Sequence, residues 1–240
     1  MPKTLIIIED DSDKHVFEAI IRHIKLQNSL SVIDTPTNTD WKAVADESNV
    51  DQPTALIRAL KSLLNDISKE KYDKVGIIRD LDDKAKQEKL SLINNALQEA
   101  YPNQSQKLSD TNELVPFTFE QNPTGTLLTV HFACHFVSYD GRGEIEDLLK
   151  AIKTKPSPIA DCIDKHLPEC LQMTEEELRE KDLVKLWFNH YQRYDTLPEN
   201  QRKSPYTTMG HIMTQRTDLF DFDRNIEELN ELKQFLQKMS

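Results

Sequence analysis

Two short apolar runs, each stopping at a group of acids, constrain this chain more than any other feature. Thr4-Leu-Ile-Ile-Ile8 leads into Glu9-Asp10-Asp11, and Lys74-Val-Gly-Ile-Ile78 leads through Arg79 into Asp80-Leu-Asp-Asp83. A strand that shows no polar and apolar alternation is buried on both faces, the condition of strands in a parallel sheet covered by helices. Helical spacing follows each run. Val16, Phe17, Ile20, Ile21 and Ile24 recur on one stripe after Asp13, with Asp11 or Ser12 able to cap the start; Leu56, Ile57, Leu60, Leu63, Leu64 and Ile67 mark a helix over 54–69; a third covers 84–100. The alternation predicts an α/β fold with a mainly parallel sheet, right-handed crossovers and flanking helices.

Ser31-Val-Ile33 is a possible short strand, and 34–50 is polar, turn-rich and aperiodic, which suits a surface excursion. Later strands are expected over 115–119 and 127–137, followed by Gly141-Arg-Gly143 and a helix over 144–153. After Pro156 the pattern turns all-helical, over 158–171, 174–194 and 224–238, with Thr174 and Glu177 matching a capping box. The expected organisation is an α/β domain over 1–155 and a helical C-terminal extension over 156–240 packed on it.

The 240 residues suffice for one buried core with additions, and 38% hydrophobic and 30% charged residues with only five glycines suit a helix-rich globular chain. No window approaches eighteen apolar residues, and Leu5–Ile8 is too short for a signal-peptide core, so a cytoplasmic protein without a membrane span is expected. Cys134, Cys162 and Cys170 are odd in number and lack C-x-x-C spacing, which predicts buried thiols rather than a disulfide framework or structural zinc. The formal net charge of −11 repels nucleic acid unless basic residues are segregated on one face.

Ligands of open parallel sheets bind beyond the carboxyl ends of the strands, where loops converge on a rigid frame. Glu9 and Asp80 occupy that position. Carboxylates brought close together repel, and a hard cation such as Mg²⁺ relieves the repulsion by taking their oxygens as ligands. In an extended segment Asp80 and Asp82 point to the same side. The competing reading is a helix cap: Asp82 or Asp83 also suits the start of the helix expected from Lys84.

Leu5-Ile-Ile-Ile-Glu9-Asp-Asp-Ser-Asp13-Lys14-His15-Val-Phe17, followed by Val75-Gly-Ile-Ile-Arg-Asp80-Leu-Asp82-Asp83, resembles the Toprim pattern of a glutamate after the first strand and a D-x-D after a later one. More closely, the chain resembles the small prokaryotic Toprim-like proteins grouped as a domain of unknown function (DUF3226-like), akin to the overcoming-lysogenization-defect nucleases. Gly143-Glu-Ile-Glu146-Asp-Leu-Leu149, Lys181 to Trp187 and the closing Phe220-Asp-Phe-Asp223 to Phe235-Leu236 add to it, so the resemblance covers most of the chain. It implies a Toprim-like, Rossmann-like sheet and Mg²⁺- or Mn²⁺-dependent phosphoryl transfer on nucleic-acid phosphodiesters. Glu9 matches the glutamate assigned as general acid or base, and Asp80 and Asp82 match the metal ligands. Asp83, Asp13 and Glu146 are supplementary ligand candidates. Lys14 and Arg142 are the substrate-binding candidates, although Lys14 also suits an ordinary exposed first-turn lysine. One departure stands out: Toprim motifs place glycine directly after the glutamate, and this chain has Asp10 there.

Two other readings stay open. The same acids suit a non-catalytic module that binds a cation, an accessory protein subunit or a second copy of the chain. Leu5 to Asp11 also resembles the opening of receiver domains, with Asp80 as phospho-acceptor and Lys155-Pro156 as the lysine-proline step, although Asp10 and Asp80 are further apart than that compact fold spans. His131 and His135 alternate in a strand-like run and are expected to support the sheet, because no third ligand at short spacing completes a metal site. Arg193, Arg202, Lys203, His211 and Arg216 interleave with Tyr191, Tyr194 and Tyr206, which suits either a solvated helical surface with core tyrosines or a face that tracks a nucleic-acid backbone.

Overall fold

Parallel pairing of the two acid-terminated strands sets the architecture of the computed structural model, which describes residues 4–8, 11–28, 52–67, 72–82, 84–121, 124–141, 143–171 and 180–240. Strand β1 (Thr4–Ile7) pairs parallel with β2 (Lys74–Asp80), Ile7 lying opposite Ile77. Strand β2 pairs parallel with β4 (Thr126–Val137), Ile78 lying opposite His135. Strand β3 (Val115–Gln121) is antiparallel to β4, because so short a connection admits only a hairpin. The order among the described residues is β1-β2-β4-β3.

Side chains alternate across this sheet, and each face has its own helical cover. Leu5, Ile7, Val75, Ile77, Phe117 and Phe132 pack on α2 (Gln52–Ile67) and α3 (Lys86–Ala100) through Leu56, Leu60, Leu90 and Leu97. Ile6, Ile8, Ile78, Ala133 and Val137 face the other way. They meet α1 (Asp11–Asn28), α4 (Ile145–Ala151), α6 (Glu180–His190) and α8 (Glu227–Met239) in one continuous cluster. The C-terminal helices therefore help to build the core under the sheet. At Gly76 a Cβ would lie 2.6 Å from Ile6 Cδ1 and 3.1 Å from Phe235 Cζ, so the missing side chain lets α8 approach β2.

Several expectations shift in detail. Helix α3 starts at Lys86 with Ala85 before it and no side-chain cap, so Asp82 does not serve as its cap. Helix α5 (Pro158–Leu171) falls where the pattern placed it, and α7 (Met209–Gln215) arises in a stretch with no assigned helix. Helix α6 continues into a wider π-turn at Tyr191–Asp195. The predicted strand Ser31–Ile33 and the Thr174–Glu177 capping box lie outside the described residues. Cys134 is buried as expected, whereas Cys162 and Cys170 are exposed on α5, and all three are free thiols. Their positions on that helix point away from its apolar stripe, which is why composition alone misjudged them.

Candidate active site at the carboxyl end of the sheet

The end of β2 is laced to the chain that leaves β4. Leu81 N–H donates to Val137 O at 3.0 Å, and Asp82 N–H donates to Gly143 O at 3.4 Å. Gly141 makes the intervening turn with φ +76°, a conformation that suits glycine. Gly143 is required for a different reason. A Cβ there would stand 2.1 Å from Asp82 N and 2.7 Å from Leu81 C, in the space the backbone already occupies. Glycine thus allows the residues before α4 to press against the turn after β2.

That close approach delivers the acids of α4 to the strand end. Glu144, Glu146 and Asp147 are all buried at the helix start, where the helix dipole favours negative charge. Glu144 Oε2 lies 3.0 Å from Lys185 Nζ, which reaches in from α6. Glu146 is 91% buried by its 9% relative exposure, and its Oε2 has no hydrogen-bond partner. Burial pushes the Glu146 carboxyl up; the Lys185 ammonium opposes this, while Glu144 and Asp147 reinforce it through like charge. Burial works against the Lys185 ammonium, but its hydrogen bond to Glu144 and the charges of Glu144, Glu146 and Asp80 outweigh that and raise its pKa. Lys185 therefore pairs directly with Glu144 and lies within electrostatic reach of Glu146 and Asp80.

Asp82 is arranged differently. The expectation that it would share a side with Asp80 required an extended backbone, and Asp82 instead has φ +51°, the left-handed region. Its carboxylate forms an ion pair with Lys89 of α3, a lysine only 4% exposed. The turn, rather than the D-x-D spacing, decides where this side chain goes. Asp13 is buried in the first turn of α1, the helix that leaves the carboxyl end of β1, and Lys14 beside it is half-buried rather than fully exposed. Asp13 and Asp80 each have interactions within the fold.

Of the residues chosen from sequence, the structure thus places Asp80 and Glu146 within electrostatic reach of Lys185 and pairs Asp82 with Lys89. Glu9, Asp83 and Arg142 lie outside the described residues. Among the described residues no three His, Cys, Asp or Glu side chains form a group able to hold a metal ion. Sequence reasoning missed Glu144, Lys185 and Lys89. Glu144 reads locally as a helix start and both lysines as ordinary helical surface, and only the packing of α4, α6 and α3 around β2 reveals their partners. His135 performs the supporting role expected of it, buried, stacked on Phe235 at 5.3 Å and bonded through Nδ1 to Asn112 Oδ1 at 2.8 Å.

These features define an α/β protein with a mostly parallel sheet whose carboxyl edge gathers buried acids around a lysine. The chain belongs to the DUF3226 family, described as protein of unknown function, whose model matches residues 3–240. No curated protein and no solved structure matches the chain. Among the described residues no helix is long and apolar enough to cross a membrane.

Proposed function

We propose that this chain is a Toprim-type, metal-dependent phosphodiesterase acting on nucleic acid. The observation that carries the reading is Glu146: a carboxylate whose buried Oε2 lacks a partner, beside Glu144 and Asp147 at the start of α4, on the carboxyl side of the parallel strands, the side on which such folds bind ligands. Oxygen donors of this kind fit a hard divalent cation, Mg²⁺ or Mn²⁺, and Asp80 and Glu146 are the described residues that would hold it, with Asp13, Asp82 and Asp83 as supplementary donors. When bound, such an ion supplies charge stabilisation to the attacking or leaving oxygen of phosphoryl transfer. Lys185 balances the acid charge from one side, and Gly143 keeps the strand end and the α4 acids at close range. Glu9, which follows β1 in the sequence, takes the role of general acid or base, and Lys14 and Arg142 that of phosphate-binding cations. Replacing Asp80 and Asp82 together by asparagine abolishes metal-dependent cleavage of oligonucleotides on this reading; full activity in the double variant would sink it.

A second reading draws on the Asp82–Lys89 pair. With Asp82 already neutralised, the same strand end suits a non-catalytic module that binds one cation or a partner. Clear metal binding without turnover on single-stranded DNA, duplex DNA or RNA would favour it. The receiver reading gains less support, since Lys155 Nζ lies 3.5 Å from Asp218 and β4 is reached through an antiparallel hairpin.

A further inference from the structure

Helix α5 sets a palindrome of metal-binding side chains on one face. Cys162, His166 and Cys170 follow one another at intervals of four residues, a spacing that gains meaning only once the segment is helical, because it then stacks the three side chains one above the next. Pro168 omits one backbone hydrogen bond near the end of the helix without ending it. The three residues are open to solvent: Ala160 is the one buried residue of α5, both cysteines are exposed free thiols, and the His166 side chain is 48% exposed. Ile159, a turn before Cys162, is exposed as well. The His166 ring is already oriented. Its Nδ1 lies 3.2 Å from Glu169 Oε2, and a carboxylate only accepts, so in the neutral ring Nδ1 carries the proton and Nε2 keeps its lone pair for a ligand.

Thiolate and imidazole are donors for a borderline cation such as Zn²⁺, whereas Mg²⁺ takes oxygen ligands. Residues four apart on a helix bring their β-carbons within about 6 Å, near enough to share one ion, but Cys162 and Cys170 stand about 12 Å apart along the axis. One copy of α5 therefore offers two donors to an ion, and among the described residues no three such groups come together within the chain. Zn²⁺ takes four. Antiparallel pairing of two α5 helices about a dyad at His166 supplies the third, because C-x-x-x-H-x-x-x-C reads alike in both directions and sets the partner's Cys170 opposite Cys162. Each ion then has Cys162, His166 and the partner's Cys170, with solvent in the fourth position, and the dyad makes two such sites. We propose that α5 carries a thiolate–imidazole half-site for Zn²⁺ that is completed by a second copy of the chain. Each thiol releases its proton to solvent as its sulfur takes the metal. This does not rest on the phosphodiesterase reading.

The test uses the full chain, reduced, stripped with EDTA and then titrated with Co²⁺ and Zn²⁺. A thiolate-to-Co²⁺ charge-transfer absorption is expected, bleached by Zn²⁺ and saturating at one ion per chain, together with a Zn²⁺-dependent doubling of mass in sedimentation velocity that excess Mg²⁺ does not produce. Cys162→Ser and His166→Ala should each abolish the doubling while leaving the metal-free melting temperature as in wild type, since both side chains are exposed. Glu169→Gln should weaken Zn²⁺ binding about tenfold by releasing the His166 ring. Absence of the charge-transfer band in wild type, a band of wild-type strength in both Cys162→Ser and His166→Ala, or a Zn²⁺-saturated protein of unchanged mass overturns the proposal.

Discussion

Gly143→Ala is the substitution whose effect follows most directly from the geometry. The added methyl would sit 2.1 Å from Asp82 N and 2.8 Å from Asp82 Cα, and both are backbone atoms that no side-chain rotation can move. Overpacking of this kind costs about 1–3 kcal/mol, and separating the segments also weakens the Asp82 N–H to Gly143 O hydrogen bond, adding about 1 kcal/mol. A loss of about 2–4 kcal/mol in a 240-residue chain corresponds to a fall in Tm on the order of 10 °C. Gly141→Ala supplies the control. Its Cβ meets nothing within 4 Å, so only the positive φ opposes it, at roughly 1–2 kcal/mol. Scanning calorimetry on both variants should rank Gly143→Ala as the more damaging. A Gly143→Ala protein that melts within a degree or two of wild type, or above Gly141→Ala, would refute the lacing of β2 to α4.

Three further outcomes follow from buried ionisable groups. Glu146 has its folded pKa raised above the ordinary 4.5, so its ionisation opposes folding as pH rises past that value. Glu146→Gln should therefore stabilise the metal-free protein at pH 7 in urea titrations, with the gain vanishing below about pH 4.5; destabilisation at pH 7 would show that the carboxylate is held by contacts of its own. His135 is buried with its pKa depressed to about 4, chiefly by burial and secondarily by Lys86. Stability should fall as pH drops from 6.5 toward 4, by on the order of 3 kcal/mol, and His135→Leu should flatten that part of the profile. Lys89→Met strips Asp82 of its counter-ion and should cost about 2 kcal/mol, less than a fully buried pair because Asp82 keeps some exposure, while tightening Mg²⁺ binding measured by calorimetry.

The frame of this fold was legible because burial on both faces leaves a direct imprint. Ile6, Ile8 and Ile78 face one helical layer while Leu5, Ile7 and Ile77 face the other, and an unbroken apolar run is the trace of that double cover. Asp80 and Glu146 were legible as acids at element ends, where loops converge. Asp82 was misread because a turn with positive φ leaves little mark in an Asp-Leu-Asp sequence, so period-two reasoning ran one residue too far. Lys185 escaped for a different reason: its partners come from segments distant in sequence, and a lysine inside an amphipathic helix looks like solvated surface until the helices are packed. The same holds for α7, whose short Met209–Gln215 span offers too few turns for periodicity to register.

On the proposed function, the acids gathered at the carboxyl end of β2 hold a divalent cation for phosphodiester cleavage. Calorimetric titration of Mg²⁺ and Mn²⁺ into wild type and Asp80→Asn, with cleavage of a single-stranded oligonucleotide followed on the same samples, tests it most directly. Saturable binding and metal-dependent cleavage are expected in wild type, with the loss of both in Asp80→Asn; equal, weak metal uptake by the two proteins with no cleavage by either would contradict the proposed function.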